Sequence, residues 1–111
     1  MNKWLLTGRL VKDPETTVTE SSNIITVIYV AVRKGFKNKE TNEYESDFFR
    51  LKAFSKNADY ISTYLKKGDL VEIEASPINN NYEKDGQKVY RDEYIVRNIS
   101  KLSSKKEAVD G

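Results

Sequence analysis

Only one stretch of this chain carries its apolar residues at helical spacing, and it is short. In Ser55–Gly68, SKNADYISTYLKKG, Ala58, Ile61 and Leu65 fall on one stripe. A serine stands where a hydroxyl cap belongs, and lysines and a glycine close the far end, so the pattern predicts a helix of about three turns. Tyr60 and Tyr64, four residues apart, are assigned to packing along it. The other patterned segments repeat with a period of two, the mark of strands. Lys3–Val11 (KWLLTGRLV) ends at the turn signal Lys12-Asp13-Pro14-Glu15, and Asn23–Lys34 (NIITVIYVAVRK) is apolar on both alternations, as in a strand covered on both faces. After the polar link Gly35–Glu43 comes DFFRLKAFSK (Asp47–Lys56). Beyond the helix, Asp69–Ala75 sets Leu70, Val71, Ile73 and Ala75 against Glu72 and Glu74, and Val89–Leu102 holds the last strand. Residues 79–86, NNNYEKDG, end in the Asp-Gly pair that favours a tight hairpin.

Three strands, a helix, then two strands is the order of the OB-fold, an all-β, five-stranded Greek-key barrel whose helix lies between strands three and four. At 111 residues the chain is expected to form one such domain over residues 1–102, with a disordered tail over 103–111. Its apolar runs are too short to span a bilayer, and MNKWLLTGRLVKD lacks the apolar core of a signal peptide. With no cysteine, disulfides and thiolate metal sites are excluded, and the expected compartment is the cytoplasm.

Enzyme chemistry finds no footing. There is no histidine or cysteine, Gly8, Gly35, Gly68 and Gly86 lie too far apart to cradle a phosphate, and the carboxylates are scattered among lysines. Glu72 and Glu74 share a strand face and are read as solvated. No cofactor and no metal are expected, which leaves a binding module.

What such a module binds is suggested by Asp47–Lys56. As a strand it turns Phe49, Leu51 and Ala53 to one face and Phe48, Arg50, Lys52 and Phe54 to the other. The first set is a core face; the second places two large rings in water with two cations between them. The alternative register would bury Arg50 and Lys52 without partners. Net charge is only +2, but between Arg33 and Lys56 seven basic residues (Arg33, Lys34, Lys37, Lys39, Arg50, Lys52, Lys56) outnumber four acidic ones (Glu40, Glu43, Glu45, Asp47). Rings flanked by cations stack on unpaired bases while the cations neutralise phosphates, which favours single strands.

Over residues 1–102 the chain resembles the bacterial-type single-stranded-DNA-binding proteins, in the blocks MNKWLLTGRLVKDPE, YVAVRKGFKN, SDFFRLKAFSKNAD, YLKKGDLVEIE and NYEKDGQKVYRDEYIV. The resemblance implies a protein that coats single-stranded DNA in replication, recombination and repair, as a homotetramer, in contact with replication or recombination proteins. It places the base-stacking aromatics on Phe36, Phe48, Phe54 and Tyr82, and phosphate contacts on Lys39, Arg50, Lys56, Lys66 and Lys67. The local charge pattern adds Arg33, Lys34, Lys37 and Lys52. Tyr82 has a second use, as a cross-strand partner of Tyr90, and Lys66 and Lys67 also complement a helix C-terminus. Trp4 is assigned to the core or a subunit interface. Two departures stand out. Glu74–Tyr82 (EASPINNNY) lacks the arginines the family carries there, and Pro77 is expected to break that strand or make it an edge. The chain also stops at Ala108-Val109-Asp110-Gly111 without the acidic Pro-Phe tip of cellular members, as expected of a truncated chain or a tail-less phage-type member. The rival reading is an OB module that presents the same face to a protein partner.

Overall fold

The computed structural model describes residues 1–104. Along them run β1 (Trp4–Leu10), β2 (Glu15–Val18), β3 (Ile24–Lys37), β4 (Tyr44–Phe54), α1 (Ser55–Tyr64), β5 (Leu70–Asn79), β6 (Tyr82–Lys84), β7 (Gln87–Val89) and β8 (Asp92–Ser103). Five of these strands close a barrel in the order β1-β5-β8-β4-β3, and β3 returns to β1 where Arg9 faces Ala31 and Leu10 faces Val30. Closure leaves few free strand edges, and α1 lies between the third and fourth barrel strands, so the chain is an OB-fold. The helix feeds buried Ala58 and Ile61, and Leu65 just past its end, into a core made by the inward alternation of every barrel strand, including Leu6, Ile28, Val30, Leu51 and Ile73.

Where β1 crosses β3 the backbones nearly touch. A Cβ on Gly8 would lie 2.7 Å from the Ala31 carbonyl oxygen and would also strike the Val30 side chain. Only glycine fits there, which is why WLLTGRL can cross β3 and complete the barrel. The Asp85-Gly86 hairpin signal is realised: both residues have positive φ (53° and 78°), as in a type I′ turn, and join β6 to β7.

The structure departs from the sequence expectations in four places. First, β2 is an extra strand added to the β3 edge outside the barrel, with Glu15 opposite Val27 and Val18 opposite Ile24. Second, β3 is not covered on both faces: Thr26, Ile28 and Val30 are buried, but Ile25, Val27, Tyr29 and Ala31 remain half-buried on the outer side. Third, the polar link shrinks to residues 38–43, because β3 and β4 continue past the barrel as an arm with an irregularity between Arg33 and Lys37. The Asn38 side chain accepts from the N–H groups of Glu40 and Thr41 and so shapes the tip. Fourth, Ser55 does not cap the helix. The chain passes straight from extended Phe54 into α1, no side-chain cap is made, and Ser55 takes a φ of 51° to turn the corner. Of the two outcomes expected at Pro77 the break does not occur: β5 runs on to Asn79 with Pro77 opposite Tyr94 of β8.

The tolerance of Pro77 has a geometric cause. The Asn2 side chain donates to the Pro77 carbonyl at 2.8 Å, so this carbonyl points away from β8. In an extended strand a residue's nitrogen and carbonyl face the same edge, and β1 pairs with β5 only as far as Ala75. The donor that proline lacks therefore faces an open edge, in line with the edge alternative. Trp4 packs at the barrel end, edge-on to Phe49 and to Tyr94 with ring centroids 4.9 Å away in each case. Tyr60 and Tyr64 lie together as expected, their centroids 5.4 Å apart. The tail expected over 103–111 begins with Ser103, the last residue of β8; residues 105–111 lie outside the described range.

Gly8→Ala should cost about 1–3 kcal/mol through forced overpacking, and thermal denaturation should show a Tm lower by roughly 4–8 °C for each kcal/mol. An unchanged Tm would mean that the β1–β3 crossing is not as tight as described.

Candidate nucleic-acid interface

The outer face of β3 and β4 is set by their pairing. Phe48 lies opposite Ala31, Arg50 opposite Tyr29, Lys52 opposite Val27 and Phe54 opposite Ile25, and directly paired residues share a sheet face. Phe48 is 69 % exposed and Phe54 41 % exposed, whereas Leu51 and Ala53 between them are fully buried and Phe49 packs against the core. The two rings and the intervening Arg50 and Lys52 therefore form one outward surface. Small Ala31 keeps the ground beside Phe48 clear.

Phe36 reaches this region from the β3 half of the arm. It is 70 % exposed and, with Lys37, Lys39 and Glu45, lines an open concavity of about 440 Å³. Tyr82 stands apart from the others on the β6–β7 hairpin. It is 45 % exposed and faces Val89, so the cross-strand pair with Tyr90 does not form. Lys56 is exposed in the first turn of α1. Lys66 and Lys67 lie past the helix end in a loop stapled to the end of β1: the Lys66 N–H donates to Asp69 Oδ2, the Lys67 N–H to Asp13 Oδ1, and the Gly68 N–H to the Leu10 carbonyl. Buried Asp69, paired with Lys101 at 3.5 Å, anchors this loop.

The cations divide into two groups. Lys34 lies 3.6 Å from Asp47 and 3.9 Å from Glu45, and Lys52 lies 3.1 Å from Glu93, so both have carboxylate partners. Arg33 and Lys37 sit over the Tyr44 ring, 4.3 and 5.5 Å from its centroid. Among the described residues Arg33, Lys37, Lys39, Arg50, Lys56, Lys66 and Lys67 make no ion pair, so this is the group with charge to spare for an anion.

Glu93 has a further role. It is 8 % exposed at the start of β8, accepts a hydrogen bond from the Asn80 side chain and pairs with Lys52. It thereby ties the root of the β6–β7 hairpin to the binding strand β4. The Asn80 bond, then the Lys52 contact, hold its carboxyl below the usual glutamate range, against the opposing effect of burial.

Three residues of this face escaped the sequence expectations. Tyr29 stands opposite Arg50, and the ammonium of Lys12 lies 4.2 Å above its ring centroid. Arg9 lies opposite Ala31 in the row that ends at Phe48, its guanidinium fixed by donation to the Gly68 carbonyl at 2.8 Å. With Thr7, Arg33 and Ser46 it lines a shallow groove of about 530 Å³. Tyr29 was hidden by the apolar character of both alternations of its strand, and only its pairing with Arg50 reveals its side. Nothing in the sequence brings Arg9 next to Phe48.

Fold and face together define an OB barrel with an aromatic, cation-bearing sheet surface. The model of the single-strand binding protein family matches residues 1–102, and the chain belongs to that family. It is similar to single-stranded DNA-binding protein 3 of Listeria innocua, at 35 % identity over 112 residues covering 100 % of this chain and 69 % of the relative. To single-stranded DNA-binding protein 1 of Staphylococcus aureus strain Mu50 the identity is 37 % over 106 residues, covering 95 % and 67 %. Two solved structures share the fold. The single-stranded DNA-binding protein of Thermus aquaticus superposes with a TM-score of 0.78 at 22 % identity, over 93 % of this chain and 50 % of that one. The Plasmodium falciparum protein in complex with single-stranded DNA superposes with a TM-score of 0.74 at 23 % identity, over 93 % and 96 %.

Because its pKa is depressed in the folded state, Glu93 contributes stability that is fully present above its unfolded value, near 4.5, and is lost as pH falls through the lower folded value. Wild type should therefore lose more stability than Glu93→Gln when denaturation is followed from pH 6 down to pH 3, pH values chosen to bracket that titration. Parallel acid limbs for the two proteins would contradict the role given to Glu93.

Proposed function

We propose that this chain binds single-stranded DNA without sequence preference and protects it during replication, recombination and repair. Bases stack on Phe36, Phe48, Phe54 and Tyr82, and the backbone follows Arg50, Lys39, Lys56, Lys66 and Lys67, with Arg33 and Lys37 in support. Lys34 and Lys52 contribute less, since carboxylates already neutralise them. The observation that carries this reading is the pair of wet rings, Phe48 and Phe54, on either side of Arg50, which makes no ion pair among the described residues. Exposed phenylalanine on a sheet face has no value for stability, but a base laid on such a ring contributes about 1–3 kcal/mol whatever its identity. Family membership and the names of the bacterial relatives support the same ligand.

Membership of the single-strand binding protein family supports a role in binding rather than catalysis, and among the described residues no group of histidine, cysteine, aspartate and glutamate is placed to hold a metal ion. No helix among them is long and apolar enough to cross a membrane, and the cytoplasm is the proposed compartment. The proposed working form is a homotetramer in contact with replication and recombination proteins. What supports an oligomer is β1, which meets β3 only at Arg9 and Leu10 and leaves the Trp4–Gly8 edge open, with Leu5 71 % exposed beside it. Light scattering is expected to give four chain masses; a monomer would contradict the assembly and leave the binding face intact.

Phe48→Ala combined with Phe54→Ala should weaken oligo-dT binding by about 2–6 kcal/mol, the sum of two stacked bases, with the fold unchanged. Wild-type affinity in that variant would refute the stacking surface. In salt titrations Arg50→Gln should flatten the log–log slope by about 0.7, the share of one neutralised phosphate, and Lys52→Gln by much less. Equal changes would show that the Lys52–Glu93 pair opens on binding.

A further inference from the structure

On β4 alone, Phe48 and Phe54 are six residues apart, about 20 Å of extended chain, and only Arg50 and Lys52 lie between them on the outer face. A strand of stacked bases crossing that interval meets no ring on β4. The gap is filled from β3: Tyr29, directly opposite Arg50, is a diagonal neighbour of Phe48, at the roughly 7–8 Å such positions span. Tyr29 stands outside the core cluster and the partly buried side chains packed against it, so core packing does not account for the ring.

Its surroundings show which way the ring is turned. The Lys12 ammonium lies 4.2 Å above the centroid and 3.1 Å from the Glu15 carboxylate, so the half-buried ring turns one face to a lysine side chain that is itself half exposed. Lys12 is held there by the β1–β2 turn, whose Val11 N–H donates to the Tyr29 carbonyl at 2.9 Å, and by β2, which lies along β3 outside the barrel. The appended strand thus brings a cation onto an aromatic of the binding face. Arg50 on the neighbouring strand offers a second, unpaired cation to the same spot.

We infer that Tyr29 is an additional base-stacking platform, joining the Phe48 and Phe54 subsites into one path, with Lys12 as the cation that yields the ring to a base and Arg50 as the one that meets the adjoining phosphate. This rests on the reading of the β3–β4 face as the surface for single-stranded DNA. A tyrosine face serves any base, so the subsite adds affinity without sequence preference.

The test uses the full chain with oligo-dT and with the same oligonucleotide carrying bromodeoxyuridine. Tyr29→Leu should weaken binding by roughly five- to one-hundred-fold, the equivalent of one stacked base, and Tyr29→Phe should bind as wild type. Photocross-linking of the wild-type chain should attach the nucleotide to Tyr29, a readout that a purely structural role would not produce and that does not depend on the variant folding. Tyr29→Leu binding within twofold of wild type, together with no cross-link at Tyr29, overturns the inference even if the Phe48 and Phe54 substitutions abolish binding. Failure of the wild-type chain to bind oligo-dT overturns both this inference and the reading beneath it.

Discussion

The structure depends on a single strand serving two surfaces. β4 gives Leu51 and Ala53 to the barrel interior and Phe48, Arg50 and Phe54 to the outside, and a slip of one residue would exchange the two sets. Such a slip would bury a guanidinium and an ammonium without partners and expose Leu51, so solvation of the cations fixes the register as firmly as burial of the apolar residues does. The wet phenylalanines follow from that register. They cannot turn inward unless Arg50 does too.

The rest of the molecule holds this strand in place. Gly8 lets β1 reach β3 and close the barrel, which keeps β3 alongside β4 in a fixed register. Past the barrel the same two strands continue as the arm that displays Phe36, and on the other side Glu93 links Lys52 to the root of the hairpin that carries Tyr82. These attachments divide the cations. Those that hold the architecture together, such as Lys34, Lys52 and Lys101, have acidic partners, and the unpaired ones are left for a polyanion. A modest net charge of +2 is therefore compatible with a strongly cationic groove.

Much of this was legible in the residues. The alternation of Asp47–Lys56, the stripe of Ala58, Ile61 and Leu65, and the Asp85-Gly86 turn are local patterns, and local patterns survive into the fold. Other features have no local signature. The residues of β2 are all exposed and carry no apolar alternation, because backbone pairing and a Thr16–Thr26 hydroxyl contact, not burial, place them on β3. Tyr29 lies in a run apolar on both sides, so its outward direction shows only once β4 pairs with β3. The Lys52–Glu93 contact joins residues 41 positions apart, on strands that meet only in the closed barrel. Pro77 left two outcomes open for a related reason: whether a missing donor matters depends on which edge is open.

The most direct test of the central claim labels the four phenylalanines, Phe36, Phe48, Phe49 and Phe54, with fluorine and follows their resonances by NMR as oligo-dT is added. Resonances of Phe36, Phe48 and Phe54 should move with the titration while Phe49, packed against Trp4 at the barrel end, stays where it is. Movement of Phe49 with the other three at rest would contradict the account.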